Sequence, residues 1–204
     1  MWKRLVSMVW ATLCLAFAAG CGDDEVDVAE NQRSSIVSYL TSSHSPRLID
    51  IRDVPNSMEA KPAFYERLEY NTYRYIASYY DQGREARRTI REGDEVSLTY
   101  VAFRFTGGQP GLANVYATND ASVLAELSKA GLNTEFWPQE PLKVKIGQTR
   151  IIKGVTLSLV GCREGDTVEA YMTLDAAYED DVVGVAGDES AIAWFYTIDS
   201  VVGE

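Results

Sequence analysis

The chain has 204 residues, 30 acidic against 19 basic side chains, a formal net charge of −11 and a single histidine. That length suits one ordinary domain with an extension, and so acidic a surface repels phosphate backbones and anionic headgroups, which argues against nucleic acid as a partner. One histidine cannot build a His-rich zinc site, and no pattern fixes a serine beside it for a triad.

Residues 1–20 open with Lys3 and Arg4, run apolar from Leu5 to Ala19 and end in small residues before Cys21. Positive residues hold the N-terminus on the cytoplasmic side, and the apolar run is too short for a stable membrane span, so the segment reads as a cleaved signal peptide. It resembles the signal peptide of a bacterial lipoprotein, in which Cys21 is lipidated and becomes the first mature residue, although the position usually held by Leu is Ala18 here. Asp23-Asp24-Glu25 resembles the acidic signal that sends some Bacteroidota lipoproteins to the cell surface. The resemblance implies a cell-envelope protein, lipid-anchored through Cys21 at the periplasmic or surface-exposed face of the outer membrane. With Cys14 removed and Cys21 lipidated, Cys162 is the remaining thiol, and it reads as a buried small hydrophobe.

Residues 21–30 read as an acidic tether and 31–89 as an N-terminal extension. A helix is expected over 29–41, with Ile36, Val37, Tyr39 and Leu40 on one side. His44 follows in a Ser- and Pro-containing stretch that reads as a flexible polar connection. A short strand over 47–51 and a firmer one over 72–80 come next. Tyr70, Tyr73, Tyr75, Tyr79 and Tyr80 fit a partner surface or, as the favoured reading, a strand added to a sheet edge. Residues 82–92 carry Arg84, Arg87, Arg88 and Arg91 and read as a soluble connecting turn rather than an electrostatic contact patch.

The strand expected over 96–105 places Val96, Leu98, Tyr100 and Ala102 on one face and becomes apolar on both faces towards its end. Gly107 and Gly108 force a turn. A helix over 121–130 has Asp120 as N-cap and Gly131 as its stop. Strands over 142–146, 167–174 and 191–201 follow, with a short helix over 151–160 among them. Glu179 to Asp181, with Asp188 and Glu189, lack the spacing and central glycine of a calcium loop and read as a solvated face. The fold class is α+β: a mostly antiparallel sheet curled over one short helix, behind a helical and strand extension.

Several local patterns recur in a particular order: Arg91-Glu92-Gly93-Asp94 leading into the long strand, Pro141-Leu142-Lys143-Val144-Lys145-Ile146-Gly147, Ile151-Ile152-Lys153-Gly154, Gly165-Asp166, Asp175-Ala176-Ala177-Tyr178 and Ala191-Ile192-Ala193-Trp194. Over residues 90–202 this order resembles an FKBP-type peptidyl-prolyl cis-trans isomerase, with 121–137 as an insertion and 90–204 as the domain. The resemblance implies an FKBP-like curled sheet wrapped on a helix, no cofactor and no metal, and proline-containing polypeptides as partners. Carried over residue by residue, it implies Tyr178, Ile152 and Tyr100 as catalytic groups, the first two through a hydroxyl and a backbone N–H. Tyr116, Leu142, Ile151, Val155 and Trp194 become the substrate-binding wall, with Val155 at its floor. The family's usual aspartate is Ala117 here, its floor tryptophan is Val155, one aromatic is Leu142, and the glycine after the tyrosine is Glu179. Three functions therefore stay open: an isomerase of Xaa-Pro bonds in exported or envelope proteins, a binding module on the same fold that holds protein chains without turnover, and a structural interaction lipoprotein.

Overall fold

The computed structural model describes residues 23–56, 59–178, 186 and 189–203. The signal peptide, Cys21 and the run from Glu179 lie outside the described residues.

Helix α1 (Asp23–Ser38) continues into a π-helical turn, Tyr39–Ser43. It begins earlier than the 29–41 expected from sequence, and residues expected as tether form its first turns. Polar but helix-compatible residues propagate it, with Glu30 and Arg33 paired one turn apart. Strand β1 (Ile49–Asp50) runs parallel to β2 (Phe64–Arg67), which forms a hairpin with β3 (Thr72–Ile76). The long strand β4 (Glu95–Arg104) is followed by β5 (Val115–Thr118), helix α2 (Ala121–Lys129), β6 (Leu142–Lys145), helix α3 (Lys153–Leu159), β7 (Thr167–Met172) and β8 (Ile192–Val202).

These strands form one curled sheet in the order β1-β2-β3-β7-β8-β4-β5, with β6 also on β4. β4 pairs along its whole length with β8, while its other edge is shared: Glu95 to Leu98 meet β6, and Val101 to Phe103 meet β5. Beyond β7 the sheet continues through β3, antiparallel on β7, to β2 and β1, so the strand read from 72–80 as an edge addition joins the sheet but is itself covered by β2. The strand nevertheless ends at Ile76, because Tyr79 N–H turns back to the Ile76 carbonyl. β2 and β5, four residues each, escape the sequence reading.

Period-two alternation sends β4 residues Val96, Leu98, Tyr100 and Ala102 to one face, where they pack with Ile192, Trp194, Tyr196 and Ile198 of β8 and with Val155 and Leu159 of α3. Phe103 and Phe105 belong to the opposite core with Tyr171, Ile36, Tyr39 and Leu40. Both faces are therefore covered, which explains the two-sided apolar end of β4. α2 is capped as expected: Asp120 Oδ1 accepts from Ser122 N–H at 2.8 Å and Val123 N–H at 3.2 Å.

Two connecting segments differ from expectation. His44 is buried, its ring set edge-on to Tyr39 and Tyr75, and its Nε2 lies 2.9 Å from Glu169 Oε2. It anchors the chain after α1 to β7 instead of sitting in a loose connection. In the arginine-rich segment, Arg84 is buried and forks onto Asp166 at 2.8 and 2.7 Å, while Arg88 reaches Asp94 at 2.7 Å. Asp166 also accepts from Ser78 Oγ and Arg163 N–H. These cations turn inward because a fully buried carboxylate requires charged, hydrogen-bonding partners. Among the described residues no helix is long and apolar enough to cross a membrane.

Candidate functional site

A cleft of about 610 Å³ opens on the concave face where β4, β6 and β8 meet the chain entering α3. Tyr100, Leu142, Ile151, Ile152, Tyr178 and Trp194, all singled out from sequence, line it. Tyr100 and Trp194 stand diagonally across the β4–β8 pair, since Tyr100 faces Tyr196 and Ala102 faces Trp194. Their rings stack with centroids 4.5 Å apart and planes 9° from parallel, giving the cleft a flat aromatic surface.

Tyr116 sits behind this wall as a buried hub. Trp194 Nε1 donates to Tyr116 Oη at 2.8 Å, and Tyr116 Oη lies 3.2 Å from Tyr178 Oη. An indole N–H only donates, so one lone pair of the Tyr116 oxygen is taken, and either phenol can donate in the Tyr116–Tyr178 bond. When Tyr116 donates, the Tyr178 hydroxyl keeps its proton for an acceptor in the cleft. Burial pushes the phenol of Tyr116 well above its ordinary value and also raises those of Tyr178 and Tyr100, so all three hydroxyls stay protonated at neutral pH.

Tyr178 follows the short 3-10 turn Leu174–Ala176. The first N–H of that turn, on Leu174, donates to Gln32 Oε1 of α1 at 2.8 Å, and Gln32 Nε2 donates to the Glu189 carbonyl. α1 thereby ties together the two ends of the segment that carries Tyr178. At the entrance to α3 the Ile152 carbonyl accepts from Val155 and Thr156. No carbonyl among the described residues accepts from the Ile152 N–H.

Val155, expected at the floor, does not line the cleft. It is fully buried with Leu159, one turn away on the inward side of α3, in the same core as Tyr100 and Trp194. Ala117 does line the cleft, without the carboxylate the resemblance would put there. Thr149, Arg150 and Lys153, which the sequence reading did not select, complete the rim. Their signal was charge: residues 141–160 hold four cations and no carboxylate in an otherwise acidic chain. Cys162 lies outside the cleft, fully buried, with burial pushing its thiol up to about 12.

No family model matches the chain, and no curated protein matches it in sequence. Among solved structures it is similar to the crystal structure of the three FKBP domains of wheat FKBP73, at 11% identity and a TM-score of 0.51, over 70% of this chain. The match spans about half of that structure, 52%. At this identity the likeness concerns the fold: a mixed α+β, FKBP-like architecture with a curled, unclosed sheet.

Proposed function

We propose that the protein is a peptidyl-prolyl cis-trans isomerase acting on Xaa-Pro bonds of exported or envelope proteins. Amide resonance imposes a barrier of about 20 kcal/mol on such a bond, so it turns over in roughly 10–100 s unaided. A quarter turn removes the resonance and much of the amide's polarity, and an apolar aromatic cleft then suits the twisted form better than water does. The Tyr100–Trp194 stack offers a flat face to the proline ring, while Leu142, Ile151 and Ile152 close its sides. The Ile152 N–H and the Tyr178 hydroxyl hold the flanking carbonyls. No nucleophile takes part.

The observation that carries this reading is the Trp194–Tyr116–Tyr178 hydrogen-bond chain, which fixes the Tyr178 hydroxyl beside the aromatic wall of the cleft. A protease-coupled isomerisation assay on the purified protein tests it. Acceleration over buffer is expected, and Tyr178→Phe should lower kcat/KM about tenfold, the equivalent of one hydrogen bond of about 1.4 kcal/mol. Absence of acceleration from folded protein favours a second reading, a module that binds chains without turnover. Ala117 at the cleft wall supports that alternative, because a group that orients the pocket in the resembled family is missing.

The same reading places the protein in the cell envelope, held by lipid on Cys21. Mass spectrometry of the protein purified from bacterial membranes should find Cys21 as a lipid-modified N-terminus; an unmodified or absent Cys21 would sink the anchor.

A further inference from the structure

The cleft of an acidic protein has a basic wall. The chain carries a net −11, yet residues 141–160 contain Lys143, Lys145, Arg150 and Lys153 and not one carboxylate. The same stretch supplies most of the cleft's rim, where Arg150 and Lys153 flank Ile151 and Ile152. Arg150 is exposed, and no carboxylate among the described residues pairs with it. Lys153 is held in place, its Nζ donating to the Asp175 carbonyl at 3.2 Å and lying 4.1 Å from the centroid of the Tyr70 ring. Several arginines of this protein are held by carboxylates, Arg84 by Asp166, Arg88 by Asp94 and Arg74 by Glu66. Among the described residues Arg150 is the one arginine that lines the cleft, and the planar fork of its guanidinium, beside the apolar wall, suits a carboxylate.

We infer that the cleft selects acidic polypeptide segments, those with an Asp or Glu one or two residues from the proline, through Arg150 with Lys153 beside it. The inference rests on the cleft being the peptide site proposed above. The negative charge of the rest of the chain opposes an acidic ligand, but at physiological ionic strength the Debye length is about 8 Å, so a carboxylate within the cleft feels Arg150 more than distant acids. An exposed pair of this kind contributes modestly, so the preference is about threefold to fivefold.

The test uses three proline peptides identical except for Glu, Gln or Lys before the proline. Binding to the purified protein is followed by NMR shift titration, and turnover is followed separately by the coupled assay. Affinity should fall in the order Glu, Gln, Lys, flatten in 1 M NaCl, and reverse in Arg150→Glu, an exposed substitution whose fold is checked by circular dichroism. Equal affinities, a Lys preference, or no binding of any peptide would overturn the inference. The expected order of binding with no turnover would uphold it while removing the isomerase reading, and turnover without charge preference would do the opposite.

Discussion

Trp194 contributes two separable things, a ring stacked on Tyr100 and an N–H that anchors Tyr116. Trp194→Phe retains part of the stack and removes the donor, so the buried Tyr116 oxygen loses the indole bond. We predict a loss of about 1–2 kcal/mol in stability, together with a fall in kcat/KM larger than that of Tyr116→Phe, which preserves the stack. Thermal melts and the coupled assay on both variants check this; equal kinetic losses would mean that the stack contributes nothing. Tyr100, Trp194 and Tyr178 were legible as site residues through the resemblance, and for Tyr100 strand alternation also assigned the face. Tyr116 was named as a wall residue, but its role as hub depends on partners 62 and 78 positions away. His44 was misread for the same reason: its carboxylate partner stands 125 positions along the chain. Side-chain pairing across a sheet leaves no local signal.

Among the elements, α3 is the one whose seating the cleft depends on, and Gly154 sets how close it comes. A Cβ there would lie 2.5 Å from Met172 Sδ, 3.1 Å from Thr72 Oγ1 and 3.2 Å from the Ala176 carbonyl, so a methyl group must push β7 or the turn before Tyr178 aside. At the other end of α3, Arg74 Nη1 donates to the carbonyls of Ser158 at 3.0 Å and Val160 at 2.7 Å, so the helix has little freedom to slide. Gly154→Ala should therefore destabilise the protein by about 1–3 kcal/mol as overpacking does, against the usual helix gain for that change. A chemical-denaturation midpoint decides it, and an unchanged or raised midpoint would show that Met172 absorbs the methyl. The long elements were legible because burial on one or both faces repeats over many residues, as in β4. β2 and β5 were not, since four residues cannot display a period, and their strand state is imposed by the neighbours β3 and β4.

At the scale of the molecule, the N-terminal part closes the sheet's convex core, and His44 is its polar fastening. The ring is hemmed by acceptors alone. Nδ1 faces the Pro46 carbonyl, and Nε2 faces Glu169 Oε2, which also accepts from Tyr171 Oη at 2.7 Å. Two acceptors require two N–H groups, so the geometry demands the imidazolium. Burial alone pulls the His44 pKa down, but the hydrogen bond to Glu169, the bond to the Pro46 carbonyl and the Glu169 charge outweigh it, and the net shift is upward from 6.5. A pKa raised on folding stabilises fully below the unfolded value and is lost as pH rises through the folded one. Carboxylates such as Asp94 and Asp120, whose pKa values are lowered by a side-chain hydrogen bond from Arg88 and from Ser122, lose their contribution only under more acid conditions. Melting temperature should thus decline between pH 6 and pH 8.5, windows taken on either side of an ordinary histidine pKa of about 6.5. His44→Gln, which can still donate one N–H to Glu169 but cannot titrate, should be less stable at pH 6 and show a flatter profile. A slope unchanged by the substitution would mean that the N-terminal part is held by its apolar contacts, Ile36, Tyr39 and Leu40, without any help from charge.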